Sequence, residues 1–123
     1  MSGTTRDFFR AVVQDATAAV VVVDLDGRVR YANAEARRLT GLAIDTDVPF
    51  SRLFPGAAAD RVVAFVETVA SRTPGRSAYL RPTPVRWDGR LRWVDLSARA
   101  LRDLAGFRGV VVTLRDVTDF HDR

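Results

Sequence analysis

The sequence predicts an α+β fold with five strands, and three features of the chain support this prediction. The apolar, β-branched runs 18–24 and 109–116 have the composition and length of buried strands. Asp-Gly pairs at 26–27 and 88–89 follow strand-like segments and are typical of β-hairpin turns. Between the hairpins, segment 57–72 carries apolar residues at helical spacing. The predicted order is therefore helix, two strands, helices and three strands, within one domain of 123 residues.

The composition is that of a globular protein, with 47% hydrophobic and 28% charged residues. The longest apolar run, 18–23, is far shorter than the roughly 20 residues that span a bilayer, and no charged-then-apolar leader opens the chain. We therefore expect a cytoplasmic protein without membrane insertion. The absence of cysteine excludes disulfides, thiolate nucleophiles, thiolate metal sites and cysteinyl cofactor adducts.

The charge balance is basic, at +4, and all 19 basic residues are arginine. A basic chain raises the question of nucleic-acid binding. The charges are scattered among 15 acidic residues, however, which favours a solvated surface. Arg86, Arg90 and Arg92 with two tryptophans form the densest group, and the hairpin register divides them over two faces. No nucleic-acid partner is therefore expected.

A flanking helix is predicted for residues 1–17, in which Phe8, Phe9 and Val12 lie at helical spacing. These side chains form a candidate dimer surface with Trp93, which the second hairpin places on the face of the sheet away from the main helix. We call this the outer face. The alternative is that the flanking helix covers the outer face within one chain.

The first hairpin begins with strand 18–24. Asp24 and Asp26 are interpreted as turn residues rather than metal ligands, since a metal site needs further oxygen ligands. Alternation along the returning strand places Val29 and Tyr31 on one face.

Two helices follow this hairpin. Asn33 is the expected N-cap of a two-turn helix that ends at Gly41, with polar contact to a bound ligand as the alternative role of Asn33. Segment 42–56 is irregular, and 57–72 is the main helix. Its apolar stripe, which should cover one face of the sheet, consists of Val62, Phe65, Val66 and Val69.

The second hairpin has a register that its two-residue turn determines. Trp87 pairs with Arg90, and Pro84 pairs with Trp93. Pro82 and Pro84 then lie at positions where a missing N–H removes no bond to the partner, which predicts an edge strand.

The same register assigns side chains to faces. The outer face receives Trp93 and Asp95. The final strand, 109–116, is apolar on both sides and is therefore predicted to be central. The predicted core face receives Val94, Leu96 and Ala98 with Tyr79, Thr83 and Val85.

In this order, the motifs resemble those of the PAS domain, a sensory and dimerisation module of bacterial signalling proteins. The resemblance covers residues 8–119 and rests on Val22-Val23-Asp24-Leu25-Asp26-Gly27-Arg28-Val29, Tyr31-Ala32-Asn33 with Ala36, Leu39-Thr40-Gly41, Trp87-Asp88-Gly89 with Trp93-Val94, and Arg115-Asp116-Val117-Thr118.

The resemblance implies an antiparallel sheet in the order 2-1-5-4-3 with helices on one face. It divides the chain into the flanking helix 1–17, a PAS domain 18–119 and the start of a linker 120–123. Asp116 and Thr118 match the family's Asp-x-Thr ending, which couples the sheet to an output domain. The expected output domains are cyclic-di-nucleotide enzymes, histidine kinases or phosphatases. This chain itself is not expected to be an enzyme, and it is expected to form a homodimer.

A ligand pocket between sheet and main helix is also implied, although the same residues could simply pack together. A photoactive flavin adduct would need a cysteine and a His-ligated haem would need a histidine on the main helix, whereas the one histidine is His121. Non-covalent flavin, another haem mode or a small apolar ligand such as a fatty acid remain open, and no metal site is expected. The candidate pocket residues are Val22, Tyr31, Asn33, Phe65, Val69, Tyr79, Leu96, Val112 and Leu114.

The alternative from another class is a small α+β pocket enzyme of isomerase type. It would require Asp95 as a base to converge with Tyr31 or Tyr79 as a donor inside the cavity. The hairpin register places Asp95 on the outer face, which disfavours this alternative.

Overall fold

The computed structural model describes residues 18–72, 76–104 and 106–121. The flanking helix predicted for residues 1–17 lies outside the described residues. The elements are β1 (Ala19–Asp24), β2 (Val29–Ala32), α1 (Ala34–Thr40), a 3-10 helix (Phe50–Leu53), α2 (Ala58–Ala70), β3 (Ser77–Trp87), β4 (Arg90–Leu104), β5 (Phe107–Asp116) and α3 (Thr118–His121).

The strands form one antiparallel sheet in the predicted order, β2-β1-β5-β4-β3. The central position of β5 is confirmed, and it agrees with the burial of Val110, Val112 and Leu114. Helix α2 packs against β3, β4 and β5, and we call the face that it covers the core face. The edge position of β3 is likewise confirmed.

Asp24 holds the turn between β1 and β2. Its carboxylate Oδ1 accepts hydrogen bonds from the backbone N–H groups of Asp26 and Arg28 over 2.9 and 3.0 Å. Gly27 has a φ of +81°, a conformation that glycine adopts without steric cost. The interpretation of Asp24 as a turn residue is therefore confirmed.

A one-residue bulge in β2 reverses the predicted direction of Tyr31. Val29 pairs with Val23, whereas Tyr31 pairs with Val22, so that Arg30 is the extra residue. Directly opposed residues point to the same side of an antiparallel sheet, and Val23 and Val29 belong to the core. Tyr31 and Val22 therefore face outward. The prediction that Val29 and Tyr31 share a face is wrong.

Asn33 caps α1, as predicted. Its Oδ1 accepts a hydrogen bond from the Ala36 N–H over 3.0 Å, and Gly41 ends the helix with a φ of 70°. The same Oδ1 accepts from the Val20 N–H over 2.9 Å, while Nδ2 donates to the Ala18 carbonyl over 2.8 Å. One buried side chain therefore joins α1 to the start of β1.

Helix α2 presents the predicted apolar stripe to the sheet. Three of the four stripe residues are buried, and Phe65 packs against the core while partly exposed. At the end of β3, the centroid of the Trp87 ring lies 5.8 Å from that of the Phe54 ring. The Trp87 Nε1–H donates to the Leu53 carbonyl over 2.6 Å. The 3-10 helix is thereby attached to the end of β3.

The β3–β4 hairpin has the predicted register near its turn. Trp87 lies opposite Arg90, and Pro84 lies opposite Trp93. Val94 is buried in the core, so its neighbour Trp93 faces outward, as predicted.

Farther from the turn, a bulge in β3 reverses the alternation. Leu80 lies opposite Leu96 on the core face, and Tyr79 lies opposite Ser97 on the outer face. The extra residue falls beside Pro82, which cannot donate to the partner strand. The prediction that Tyr79 shares a face with Leu96 is wrong, because one inserted residue exchanges the two sides of a strand.

The bonds of Asn33 allow a stability test. Asn33→Ala removes a helix cap and leaves the buried Val20 N–H and the Ala18 carbonyl without this partner. We expect a loss of about 2–4 kcal/mol in the free energy of unfolding, measured by urea denaturation. Asn33→Ser keeps a capping oxygen but is too short to reach β1, so its loss should be intermediate. A serine variant as stable as the native chain would contradict a contribution from the β1 contacts.

Candidate functional site

Backbone and side-chain hydrogen bonds join the end of β5 to β4. The Thr118 hydroxyl oxygen accepts from the Trp93 N–H over 2.9 Å, and the Trp93 carbonyl accepts from the Val117 N–H over 2.7 Å. Asp116 Oδ1 accepts from the Thr118 N–H over 3.0 Å and from the Thr118 hydroxyl over 2.5 Å. The chain therefore leaves the sheet at a position that β4 holds.

Asp116 also forms an ion pair across the sheet. Its Oδ2 lies 3.4 Å from Arg92 Nη1, and each of these side chains is 32% exposed. One carboxylate oxygen thus contacts Thr118 at the start of α3, and the other contacts β4. A change in the relative position of β4 and β5 therefore alters the contacts that orient α3.

A second polar cluster lies on the outer face. Asp95 of β4 is opposite Arg115 of β5, and Arg115 Nη2 lies 2.8 Å from Asp95 Oδ2. The Tyr79 hydroxyl of β3 donates to the same oxygen over 2.8 Å. Asp95 is buried, whereas Tyr79 and Arg115 are exposed.

The contacts with Asp95 shift the pKa values of Tyr79 and Arg115. The hydrogen bond to Asp95, followed by desolvation and the negative charge of Asp95, raises the pKa of Tyr79, while Arg115 opposes this shift. The hydrogen bond and charge of Asp95 likewise raise the pKa of Arg115. Tyr79 therefore remains a hydrogen-bond donor over a wider pH range than a solvated tyrosine.

The cluster brings together Asp95 and Tyr79, which the isomerase alternative required to meet inside the cavity. Asp95 and Tyr79 converge on the outer face and not in the interior between sheet and α2. Arg115 shares the carboxylate oxygen that Tyr79 contacts. Tyr31 lies on β2 and has no part in the cluster.

Sequence reasoning missed the cluster for two reasons. The Pro82 bulge reverses Tyr79. The two-residue connection between β4 and β5 carries no Asp-Gly or Asn-Gly pair, and the register shifts between Leu101 and Leu104, so the pairing of Asp95 with Arg115 could not be counted from a turn. The available signal is the pair of opposite charges, because such residues are favourable cross-strand neighbours.

The candidate pocket residues divide between two faces of the sheet. Val22, Tyr31 and Tyr79 point to the outer face, and Asn33 contacts the backbone of β1 and α1. The ligand role of these residues stays a prediction. The other five candidates lie between sheet and helix α2, where most are buried in one core cluster: Phe65, Val69, Leu96, Val112 and Leu114.

A cleft of about 230 Å³ opens between the β1–β2 turn and α2. Its lining includes Val23, Phe50 and Val66, with Asp26 and Glu67 among its polar residues. This cleft lies beside the interior in which a pocket was predicted.

The candidate dimer surface is only partly described. Trp93 is half-buried on the outer face, whereas Phe8, Phe9 and Val12 lie outside the described residues. The dimer surface therefore stays a prediction. Within the described ranges, no helix combines the length and apolarity that crossing a bilayer demands.

Comparison with known proteins agrees with the architecture. A family model described as "PAS fold" matches residues 13–122. No curated protein matches the chain.

Several solved structures share the fold. The PAS domain of Bordetella pertussis BvgS has a TM-score of 0.74 at 21% identity, over 95% of this chain and 94% of that one. Phage VqmA in complex with DPO has a TM-score of 0.75 at 17% identity, over 98% and 57%. The PAS domain of nitrogen regulation protein NR(II) from Vibrio parahaemolyticus has a TM-score of 0.64 at 17% identity, over 94% and 99%.

The hydrogen bond between Tyr79 and Asp95 can be tested by titration. In a Tyr31→Phe background Tyr79 is the one remaining tyrosine, and its absorbance change with pH reports its pKa. We expect this pKa to lie above the ordinary value of about 10 and to fall when Asp95→Asn removes the charged acceptor. Asp60→Asn, on the exposed side of α2, is the control.

The sign of the linked stability follows from the raised pKa. The folded chain holds the Tyr79 proton more tightly than the unfolded chain. The stabilisation is therefore complete below the unfolded pKa and is lost as pH rises through the folded pKa. An equal Tyr79 pKa in the Asp95→Asn and control proteins would contradict the role of this hydrogen bond.

Proposed function

Because the chain belongs to the PAS fold family, we propose that it relays the binding of a ligand or partner to an output domain of the full-length protein. PAS domains are sensory and regulatory folds, and the chain is a sensory module of this kind. Its action is conformational and requires no chemical step.

The observation that carries the proposal is the arrangement of hydrogen bonds at the end of β5. Asp116 contacts both Arg92 of β4 and Thr118 of α3, and Thr118 contacts the backbone of Trp93. We call these contacts of Asp116 and Thr118 with β4 the junction. Any signal that leaves the sheet through α3 passes through it. A shift between β4 and β5 changes the position of α3 because its first residue is bonded to both strands.

The input side of the relay is the interior between the core face and α2. We propose a small apolar ligand there, in contact with Phe65, Val69, Leu96, Val112 and Leu114. The last three are on β4 and β5, the strands that also hold the junction. A ligand changes the output only to the extent that it binds two arrangements of these strands with different affinity.

Similar proteins support the binding of a ligand by this fold and, in one case, a histidine-kinase output. Phage VqmA was crystallised in complex with DPO, and Vibrio cholera VqmA in a complex with ligand and DNA. Another similar PAS domain comes from a two-component sensor histidine kinase. For this chain we propose a cyclic-di-nucleotide enzyme, a histidine kinase or a phosphatase as the output, in a cytoplasmic homodimer.

Replacement of Asp116 tests the junction. Asp116→Ala removes the contacts to Arg92 and Thr118 together. We expect the output activity of the full-length protein to change by about fivefold or more. The isolated domain should lose no more than about 1 kcal/mol of unfolding free energy, since the ion pair is solvent-accessible.

The control for this experiment is Asp119→Ala. Asp119 is an exposed carboxylate in the first turn of α3 and is outside the hydrogen bonds of the junction. A folded Asp116→Ala protein whose output equals that of the Asp119→Ala control would contradict the proposed relay.

The ligand is tested on freshly purified protein. We expect native mass spectrometry to show a dimer that carries a bound small molecule. An absorbance spectrum then separates coloured cofactors from a colourless apolar ligand. A colourless dimer without additional mass would contradict the proposal that the protein binds a small ligand. The input would then be the binding of a partner protein.

A further inference from the structure

The outer face carries a cleft of about 430 Å³ that is separate from the interior. This volume lies within the range of about 300–1,000 Å³ that is typical of small-molecule sites. Its lining comes from β3, β4, β5 and the start of α3, and consists of Tyr79, Pro82, Asp95, Arg115, Val117 and Phe120.

The polar part of the cleft is a buried carboxylate with one available oxygen. Asp95 is 4% exposed, and the hydrogen bonds made to it by the described residues all end on Oδ2. No buried side-chain oxygen in the described ranges lacks a partner, so Oδ1 retains some contact with solvent, and Asp95 is one of the residues that line the cleft. Oδ1 can therefore accept hydrogen bonds from a ligand, and a cationic donor would make the strongest ones.

Arg115 provides the opposite charge beside this oxygen. Its Nε and Nη2 contact Asp95 Oδ2 over 3.3 and 2.8 Å, and its side chain is 69% exposed. In the described part of the chain, no hydrogen bond engages Nη1. The guanidinium can therefore hold Asp95 and still donate to an anionic group of a ligand.

The remaining walls are apolar. Phe120 is 75% exposed and Tyr79 is 57% exposed, which leaves both rings accessible to a ligand. Pro82 and Val117 add aliphatic surface to the same cleft. An apolar group bound there would remove these surfaces from water.

We propose that this cleft binds a free α-amino acid with an apolar side chain. The ammonium group donates to Asp95 Oδ1, the carboxylate accepts from Arg115, and the side chain packs against Phe120 and Tyr79. The two charged groups of an amino acid share one carbon atom, which suits acceptor and donor groups that lie in direct contact. Both the ligand and the Asp95–Arg115 pair have no net charge. Each charged group of the ligand therefore meets a protein group of opposite charge.

The test of this site is separate from the test of the proposed relay. The site lies on the opposite face of the sheet from the interior ligand, and its binding can be measured on the 123-residue chain without any output domain. If the Asp116→Ala variant leaves the output unchanged, the relay is contradicted but the amino-acid site is not. If no amino acid binds, the site is contradicted but the relay is not.

Calorimetric titration of the native chain with L-phenylalanine and L-leucine tests the proposal. We expect binding of both, and at least about tenfold weaker binding of phenethylamine and 3-phenylpropionate, which each lack one charged group. Equal binding of phenethylamine and L-phenylalanine would contradict the proposal that the site recognises both charged groups of an amino acid. No binding of either amino acid at millimolar concentration would overturn the site.

Variants locate the binding to this cleft. Asp95→Asn and Arg115→Gln should each weaken L-phenylalanine binding about tenfold or more, and Phe120→Ala should weaken it less. Arg99→Gln, also an exposed arginine on the sheet and outside the cleft lining, is the matched control. Amide NMR spectra confirm that each variant is folded. If Asp95→Asn does not fold, Arg115→Gln and Phe120→Ala decide the test, and unchanged binding in both would overturn the proposal.

Discussion

Strand β5 pairs with β1 along one side and with β4 along the other, and this double pairing positions both the interior and the outer cluster. Its β-branched residues suit a buried strand. At Gly109 the backbone of β5 approaches β1 so closely that a Cβ there would lie 2.2 Å from the Val23 carbonyl oxygen. Because β5 cannot move without disturbing both neighbours, the residues at its end, Arg115 and Asp116, have fixed partners on β4. The position of α3 depends on the same pairing.

The strands, helices α1 and α2 and the Asn33 cap could be predicted because each depends on local signals: apolar runs, turn residues and capping residues. The full strand order followed from the resemblance to the PAS family, since local signals indicated only that β5 is central and β3 is an edge strand. The directions of Tyr31 and Tyr79 could not be predicted, although each lies in a correctly predicted strand. In both cases one inserted residue reverses the alternation, and the pattern of apolar residues contains no mark of an insertion. Pro82 is a signal for the second bulge only when the pairing is already known. The same limit concealed the contact between Tyr79 and Asp95.

The two faces of the sheet offer different chemistry to a ligand. The core face beneath α2 is apolar, so an occupant there competes with side-chain packing and is selected mainly by shape. The outer face combines a buried carboxylate, an exposed guanidinium and accessible aromatic rings, which select by charge and hydrogen-bond geometry. Both faces involve β4 and β5, and both border the start of α3.

The bulge beside Pro82 also bears on how the surface can evolve. Loss of one codon at position 81 or 82 would restore regular alternation along β3, which would exchange the sides of Tyr79 and Leu80. A point mutation changes the residue at a position, whereas such a deletion keeps both residues and exchanges the surfaces to which they belong. An edge strand has no second neighbour to oppose this shift. Small insertions and deletions in β3 are therefore a route by which related chains could diverge in outer-face specificity while retaining the same strand order.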